Sequence, residues 1–178
     1  MLRRHPHTPA HLFVDDTAYF ITGAIYGKRP LLRSNDLKQT LLEVIGRSFG
    51  EYGWRLEHWV ILDNHYHMMA QSRRGEDLPA IMHKLHGRTG HAIHAATDCK
   101  LPVWWNYWDY CPRDERDYIV HLNYLLYNPI KHGYVNDLKD YPHSSFLKLF
   151  KDCGKERLAQ QFRDYPEFRA LDEVKDDF

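Results

Sequence analysis

Apolar and polar positions switch between strand-like and helix-like spacing along most of the chain. The stretch "AYFITGAIY" (18–26) is rich in aromatic and β-branched residues and predicts a strand. In "SNDLKQTLLEVIGRSFGEYG", Leu37, Leu41, Leu42 and Ile45 recur at helical spacing, with Ser34 or Asn35 as the cap and Gly50 or Gly53 as the stop. "WRLEHWVIL" (54–62) predicts a second strand, with Trp54, Leu56, His58 and Val60 on one face. A third, "NHYHMMAQS", follows at once, with Asp63-Asn64 as the turn. Residues 76–97 predict a helix that carries Gly87 and Gly90 at about 1 kcal/mol each. A fourth strand is expected near Tyr107–Cys111, then a helix from Asp114 to Asn128. Pro129 is expected to stop that helix, because the residue before a proline avoids the helical region.

This order is strand, helix, strand, strand, helix, strand, helix. It predicts an α+β fold with a ferredoxin-like βαββαβ antiparallel sheet, helices packed on it and a C-terminal helical tail. Residues 1–134 read as one domain and 135–178 as an extension packing on or near it. No apolar run approaches the ~20 residues a membrane span needs, and the start shows no apolar signal segment, so a cytoplasmic protein is expected.

Composition adjusts this picture in two places. Net charge is zero, so any nucleic-acid surface must be a local patch. Thirteen histidines and 14% aromatic residues supply ligands for a metal and faces for base stacking, although both also serve cores. The three cysteines form no CxxC pair, which removes zinc-knuckle and disulfide-framework readings.

The chemistry concentrates in "ILDNHYHMMA" (61–70). Strand residues two apart share a face, so His65 and His67 point together and Tyr66 points away. Such a pair fits a divalent-metal site, and it equally fits two polar residues on a solvated face. The helix "RDERDYIVHLNYLLYNPIKHG" offers partners: Tyr124 and Asn128 are four apart and stack on one face, and Lys131 continues the stripe if the turn after Pro129 is compact. Asp117 and His121 fall on about the same face, and Tyr118 and Tyr127 are rival tyrosines that spacing does not dismiss. On the helix 76–97, His83, His86, His91 and His94 lie within about 140° of one another. With Lys84 and Arg88 they form either a phosphate-contacting surface or a solvated face.

Three segments in this order, "DNHYHMM", "VWWNYWDYCPRDERDYIVHLNYLLYNPIKHGYV" and "DYPHSS", resemble the REP-associated tyrosine transposases of the single-tyrosine HUH endonuclease superfamily. The resemblance runs from about Ala18 to Ser145. It departs at Leu62-Asp63, where the family often carries Met-Pro, and lacks the family's usual basic character. It implies that His65, His67 and Asn128 hold a divalent ion, Mg²⁺ or Mn²⁺, and that Tyr124 is the nucleophile. The implied activity is cleavage and rejoining of single-stranded DNA at REP-like palindromic hairpins through a 5′-phosphotyrosine, in a nucleoid-associated protein. Arg88, Arg113, Arg116, Lys131 and Trp105 would then contact DNA. A domesticated hairpin-binding protein without cleavage is the alternative. A hydrolase of small substrates would instead need Asp63 or Asp117 as a carboxylate ligand. A homodimer stays open, since some members of the superfamily lend the tyrosine helix to a partner.

Overall fold

The computed structural model describes residues 13–171. Four strands, Ala18–Ile25 (β1), Arg55–Ile61 (β2), His65–Gln71 (β3) and Trp104–Tyr110 (β4), form one antiparallel sheet in the order β2-β3-β1-β4. Helices Asn35–Glu51 (α1) and Leu78–Thr97 (α2) connect β1 to β2 and β3 to β4, which gives the expected ferredoxin-like order. Helix Glu115–Lys131 (α3) follows β4, and Phe146–Cys153 (α4) and Lys155–Asp164 (α5) lie in the tail. Among the described residues no helix is long and apolar enough to cross a membrane.

The sheet divides the interior into two cores. Tyr19, Ile21, Tyr66 and Met68 face α1 and α2, where they meet Leu41, Ile45, Ile81 and Leu85. Phe20, Val60, Met69 and Leu62 face α3 and the tail, where they meet Tyr124, Leu125, Tyr141 and Phe146. The two middle strands are therefore covered on both faces, and β3 is buried along all but its last residue. Gly23 on β1 is required by this packing: a Cβ there would sit 2.3 Å from the Tyr66 ring.

Three local expectations change. The single face of Trp54, Leu56, His58 and Val60 is broken by a bulge between Leu56 and His58, which shifts the alternation by one. Trp54 and Leu56 thus join the α1/α2 core while Val60 joins the other. Strand β4 starts earlier than expected, because Trp104 already pairs with Ile25 across a second bulge. Helix α3 does not stop at Asn128 but runs through Pro129 to Lys131. A proline in the last turn removes a single helical donor, and the carbonyls around it are satisfied: Asn128, Pro129 and Ile130 accept from His132, Tyr134 and Gly133. Gly133, at φ 71°, then turns the chain away in the left-handed conformation glycine favours.

The tail straps α3 to the sheet. Ser144 bridges to Val60, and the backbone N–H groups of Ile61 and Ser145 donate to His143 and Trp59, covering the outer edge of β2. Asn123, fully buried on α3, donates to the carbonyls of Gln161 and Tyr165 and accepts from Gln161 Nε2. Tyr127 packs on Phe168.

Candidate active site

Strand β3 lies between β2 and β1, so both its edges are paired and its side chains are held in register. His65 and His67 project to the α3 side, 3% and 1% exposed, with ring centroids 5.0 Å apart. Each is gripped by Nδ1. Thr22, directly across from His67 in the β1–β3 register, places Oγ1 2.8 Å from His67 Nδ1. Asn64 places Oδ1 2.7 Å from His65 Nδ1, while its own Nδ2 donates to the Lys28 carbonyl. That second bond fixes the amide orientation. An amide oxygen only accepts, so His65 carries its proton on Nδ1 and presents a lone pair at Nε2. Tyr66 points to the opposite side, with its hydroxyl 2.8 Å from His86 Nε2.

Helix α3 brings the second half of the cluster. Asp114 caps its start by accepting from the Asp117 N–H at 2.8 Å. Tyr124 is 2% exposed, with its ring edge-on to His67 at 5.2 Å and to Phe20 at 6.0 Å. Asn128 is fully buried; its Nδ2 donates to the Tyr124 carbonyl at 2.8 Å, and its Oδ1 has no hydrogen-bond partner. The Nε2 atoms of His65 and His67 are buried and likewise make no hydrogen bond among the described residues. Leaving a buried amide oxygen unsatisfied costs about 1–3 kcal/mol, which a coordinated cation would offset. Lys131, now helical, donates from Nζ to the Tyr124 hydroxyl at 3.3 Å. His132, at the end of the helix, sets its ring 5.1 Å from that of His65.

The rival residues are engaged elsewhere. Tyr118 donates to Glu57, and burial together with that carboxylate pushes its pKa up. Asp117 accepts from the Tyr110 hydroxyl and from Arg113, and lies 3.1 Å from His121 Nδ1. Burial raises its pKa, but the bonds from Tyr110 and Arg113 outweigh it and leave the carboxyl below its usual range. Asp63, the departure from the family pattern, pairs at 2.7 Å with Lys38, a lysine only 5% exposed. Among the described residues no group of three or more His, Cys, Asp or Glu is placed to hold a metal.

The DNA-contact candidates are scattered. Lys131 sits at the tyrosine. Arg88 lies on α2, across the sheet, and pairs with Glu51 at 3.4 Å. Arg113 pairs with Asp117 at 3.2 Å near the start of α3, and Arg116 with Glu167 of the tail. Trp105 is 50% exposed and tilts against Tyr26, ring centroids 5.2 Å apart. His86 does not join a solvated histidine face: it stacks on Trp104 at 4.6 Å and burial holds its pKa well below the ordinary range. Sequence reasoning singles out none of the partners Thr22, Asn64 and His132 as site residues, although Asn64 shows there as a turn residue and His132 lies inside "NPIKHG".

The chain with this fold is matched by the model of the IS200-like transposases over residues 15–110, more than half of its length. The chain belongs to the IS200-like transposase family, DNA-binding enzymes of the transposase kind. Among its relatives are two REP-associated tyrosine transposases. One, from Escherichia coli, is 26% identical over 137 residues, covering 75% of this chain and 79% of that protein. The other, a Haemophilus influenzae protein assigned the same name, is 29% identical over 151 residues, covering 74% of this chain and 85% of its own length. The fold is shared with a solved REP-associated tyrosine transposase bound to a REP hairpin, at a TM-score of 0.67 and 23% identity over 79% of this chain and 83% of that one.

Proposed function

We propose that this protein cleaves and rejoins single-stranded DNA at hairpin sequences through a 5′-phosphotyrosine on Tyr124, with His65, His67 and Asn128 holding a divalent ion. The observation that carries the reading is the Asn128 amide: Nδ2 is tied to the Tyr124 carbonyl, which leaves a buried Oδ1 beside the tyrosine with no hydrogen bond. The relatives' names, and the hairpin held by the solved structure of similar fold, supply the substrate class.

Two imidazole nitrogens and one amide oxygen are neutral donors, a set that suits Mn²⁺ better than Mg²⁺. When bound there, the ion supplies Lewis-acid polarisation of a phosphate oxygen and stabilises charge on the leaving oxygen. The protein's own groups do the rest. Asn64 and Thr22 fix the rings of His65 and His67. Packing between Phe20 and His67 holds the Tyr124 ring for attack. The Tyr124 oxygen forms a bond to phosphorus and releases its proton; the bond from phosphorus to the 3′ oxygen breaks, and that oxygen takes up a proton from solvent. The ester conserves the bond for rejoining, so no nucleotide is consumed. Residues up to 134 supply every group named, and the segment from 135 onward steadies α3. Because Tyr124 and His67 of one chain already meet, the proposed site is assembled in cis. Trp105, exposed beside Tyr26, is placed to stack an unpaired base.

Incubation with REP-like hairpin single strands and Mn²⁺ should yield a covalent protein–DNA adduct on a denaturing gel, and Tyr124→Phe should yield none. An adduct from Tyr124→Phe overturns the assignment of the nucleophile. Hairpin binding by the unaltered protein, with no adduct across a panel of hairpins in Mn²⁺ or Mg²⁺, would mark a binding protein without cleavage.

A further inference from the structure

Lys131 stands two helical turns beyond Tyr124. Seven residues at 100° each fall about 20° short of two full turns, so the two side chains share one stripe of α3. Helical side chains lean toward the N-terminus, and a lysine stem is long enough to return along the helix to the tyrosine. This placement exists only because α3 continues through Pro129. The result is a specific contact: Nζ lies 3.3 Å from the Tyr124 hydroxyl oxygen and 4.9 Å from the ring centroid. Lys131 is half-buried, so the ammonium is partly withdrawn from solvent and keeps the contact in a medium of reduced polarity.

We propose that Lys131 is a catalytic residue for the reaction proposed above, with its ammonium orienting the Tyr124 oxygen and offsetting the charge that develops on it. The proposal rests on Tyr124 being the nucleophile. In the forward step the oxygen loses its proton as it bonds to phosphorus; in rejoining, the same oxygen leaves phosphorus carrying the electron pair of the broken bond. A fixed cation 3.3 Å away stabilises both crossings, as a preorganised donor does at any oxygen where charge develops. The role differs from a phosphate contact, which would hold DNA in the bound state and leave the chemical step untouched.

The test separates binding from chemistry. With Mn²⁺ and saturating hairpin single strand, single-turnover adduct formation is measured for the unaltered protein, Lys131→Met and Lys131→Arg, and hairpin affinity for each is measured by fluorescence anisotropy. Lys131→Met should slow adduct formation by about 100- to 1,000-fold, the usual loss of one such donor, while binding the hairpin with nearly unchanged affinity. Lys131→Arg, which keeps a cationic donor, should recover part of the rate. Isolated adduct chased with a strand bearing a free 3′-hydroxyl should rejoin more slowly in Lys131→Met by a similar factor. The inference is overturned if Lys131→Met weakens hairpin binding and leaves the saturated rate alone, or if it changes neither. Absence of adduct from the unaltered protein would overturn the cleavage reading itself, and this inference with it. Matching circular dichroism melts for the three proteins exclude a folding effect, and Lys131→Arg carries the test if Lys131→Met fails to fold.

Discussion

Thr22 and Asn64 show how much of the candidate site rests on single side chains outside it. Each occupies the Nδ1 of one histidine, and Asn64 is itself oriented by its bond to the Lys28 carbonyl. Partners of this kind set ring orientation and tautomer, and losing one costs roughly 10- to 100-fold in metal affinity. Thr22→Val and Asn64→Ala should therefore each weaken Mn²⁺ binding by about that factor in an electron paramagnetic resonance titration. Thr22→Ser, which keeps the hydroxyl, should bind nearly as the unaltered protein does. Equal Mn²⁺ affinity in Thr22→Val would mean that His67 is not held through this bond. The two kinds of residue differ in legibility for a physical reason. His65 and His67 are two apart on a strand, and Tyr124 and Asn128 four apart on a helix, so local periodicity plus the family resemblance suffices to single them out. Thr22 meets His67 only through cross-strand register, 45 positions away in sequence, and no local pattern encodes that. Asn64 is visible in sequence but reads as a turn residue, because turns and hydrogen-bonded ligands favour the same side chain.

At the scale of elements, α3 unites the tyrosine, the amide and the lysine, and it is the element that local rules describe least completely. Its start is legible from Asp114 and its buried face from Leu122, Leu125 and Leu126. Its end is not, since the rule that helices stop before proline gives way when the flanking carbonyls find other donors. The bulge in β2 is hidden for a similar reason: one extra residue reverses the faces downstream, and only pairing with β3 reveals it. The tail's hold on α3 is also tertiary. Phe168, 1% exposed, packs against Tyr127 and Phe162 on the side of α3 away from the sheet. Phe168→Ala should cost about 3–5 kcal/mol in urea denaturation, the range for truncating a buried phenylalanine, and should slow adduct formation by loosening α3. Arg116→Ala removes an exposed pair between α3 and Glu167 of the tail and should leave the urea midpoint nearly unchanged. If the two variants lose equal stability, the tail is held by its ion pair and not by the aromatic cluster.

Across the whole molecule the sheet separates a face with the proposed chemistry from a face that only packs, and the most deeply depressed histidine belongs to the packing face. His86 lies there, stacked on Trp104 and bonded to Tyr66, and burial lowers its pKa to about 3. Burial also lowers His58, against the opposing pull of Glu57, and His143, with Lys38 adding to the shift. All three shifts have the same sign. Below about pH 6.5 these imidazoles take up protons in the unfolded chain but resist them in the folded one, so stability falls as pH falls through this range. For His86 the loss begins near pH 6.5 and continues toward its folded value of about 3. The depressed carboxyl of Asp117 acts in a lower window: its contribution is complete above the ordinary carboxylate range and is lost only below it. Between pH 7 and 5 the histidines therefore dominate, each contributing at most about 1.4 kcal/mol per pH unit. Urea unfolding at pH 5, 6, 7 and 8 should show stability declining on the acid side, and His86→Gln should decline less steeply. The difference between the two curves isolates the contribution of His86. Parallel curves would mean that the imidazole at His86 is protonated in the folded protein as readily as in the unfolded chain, and that its stack on Trp104 does not exclude water.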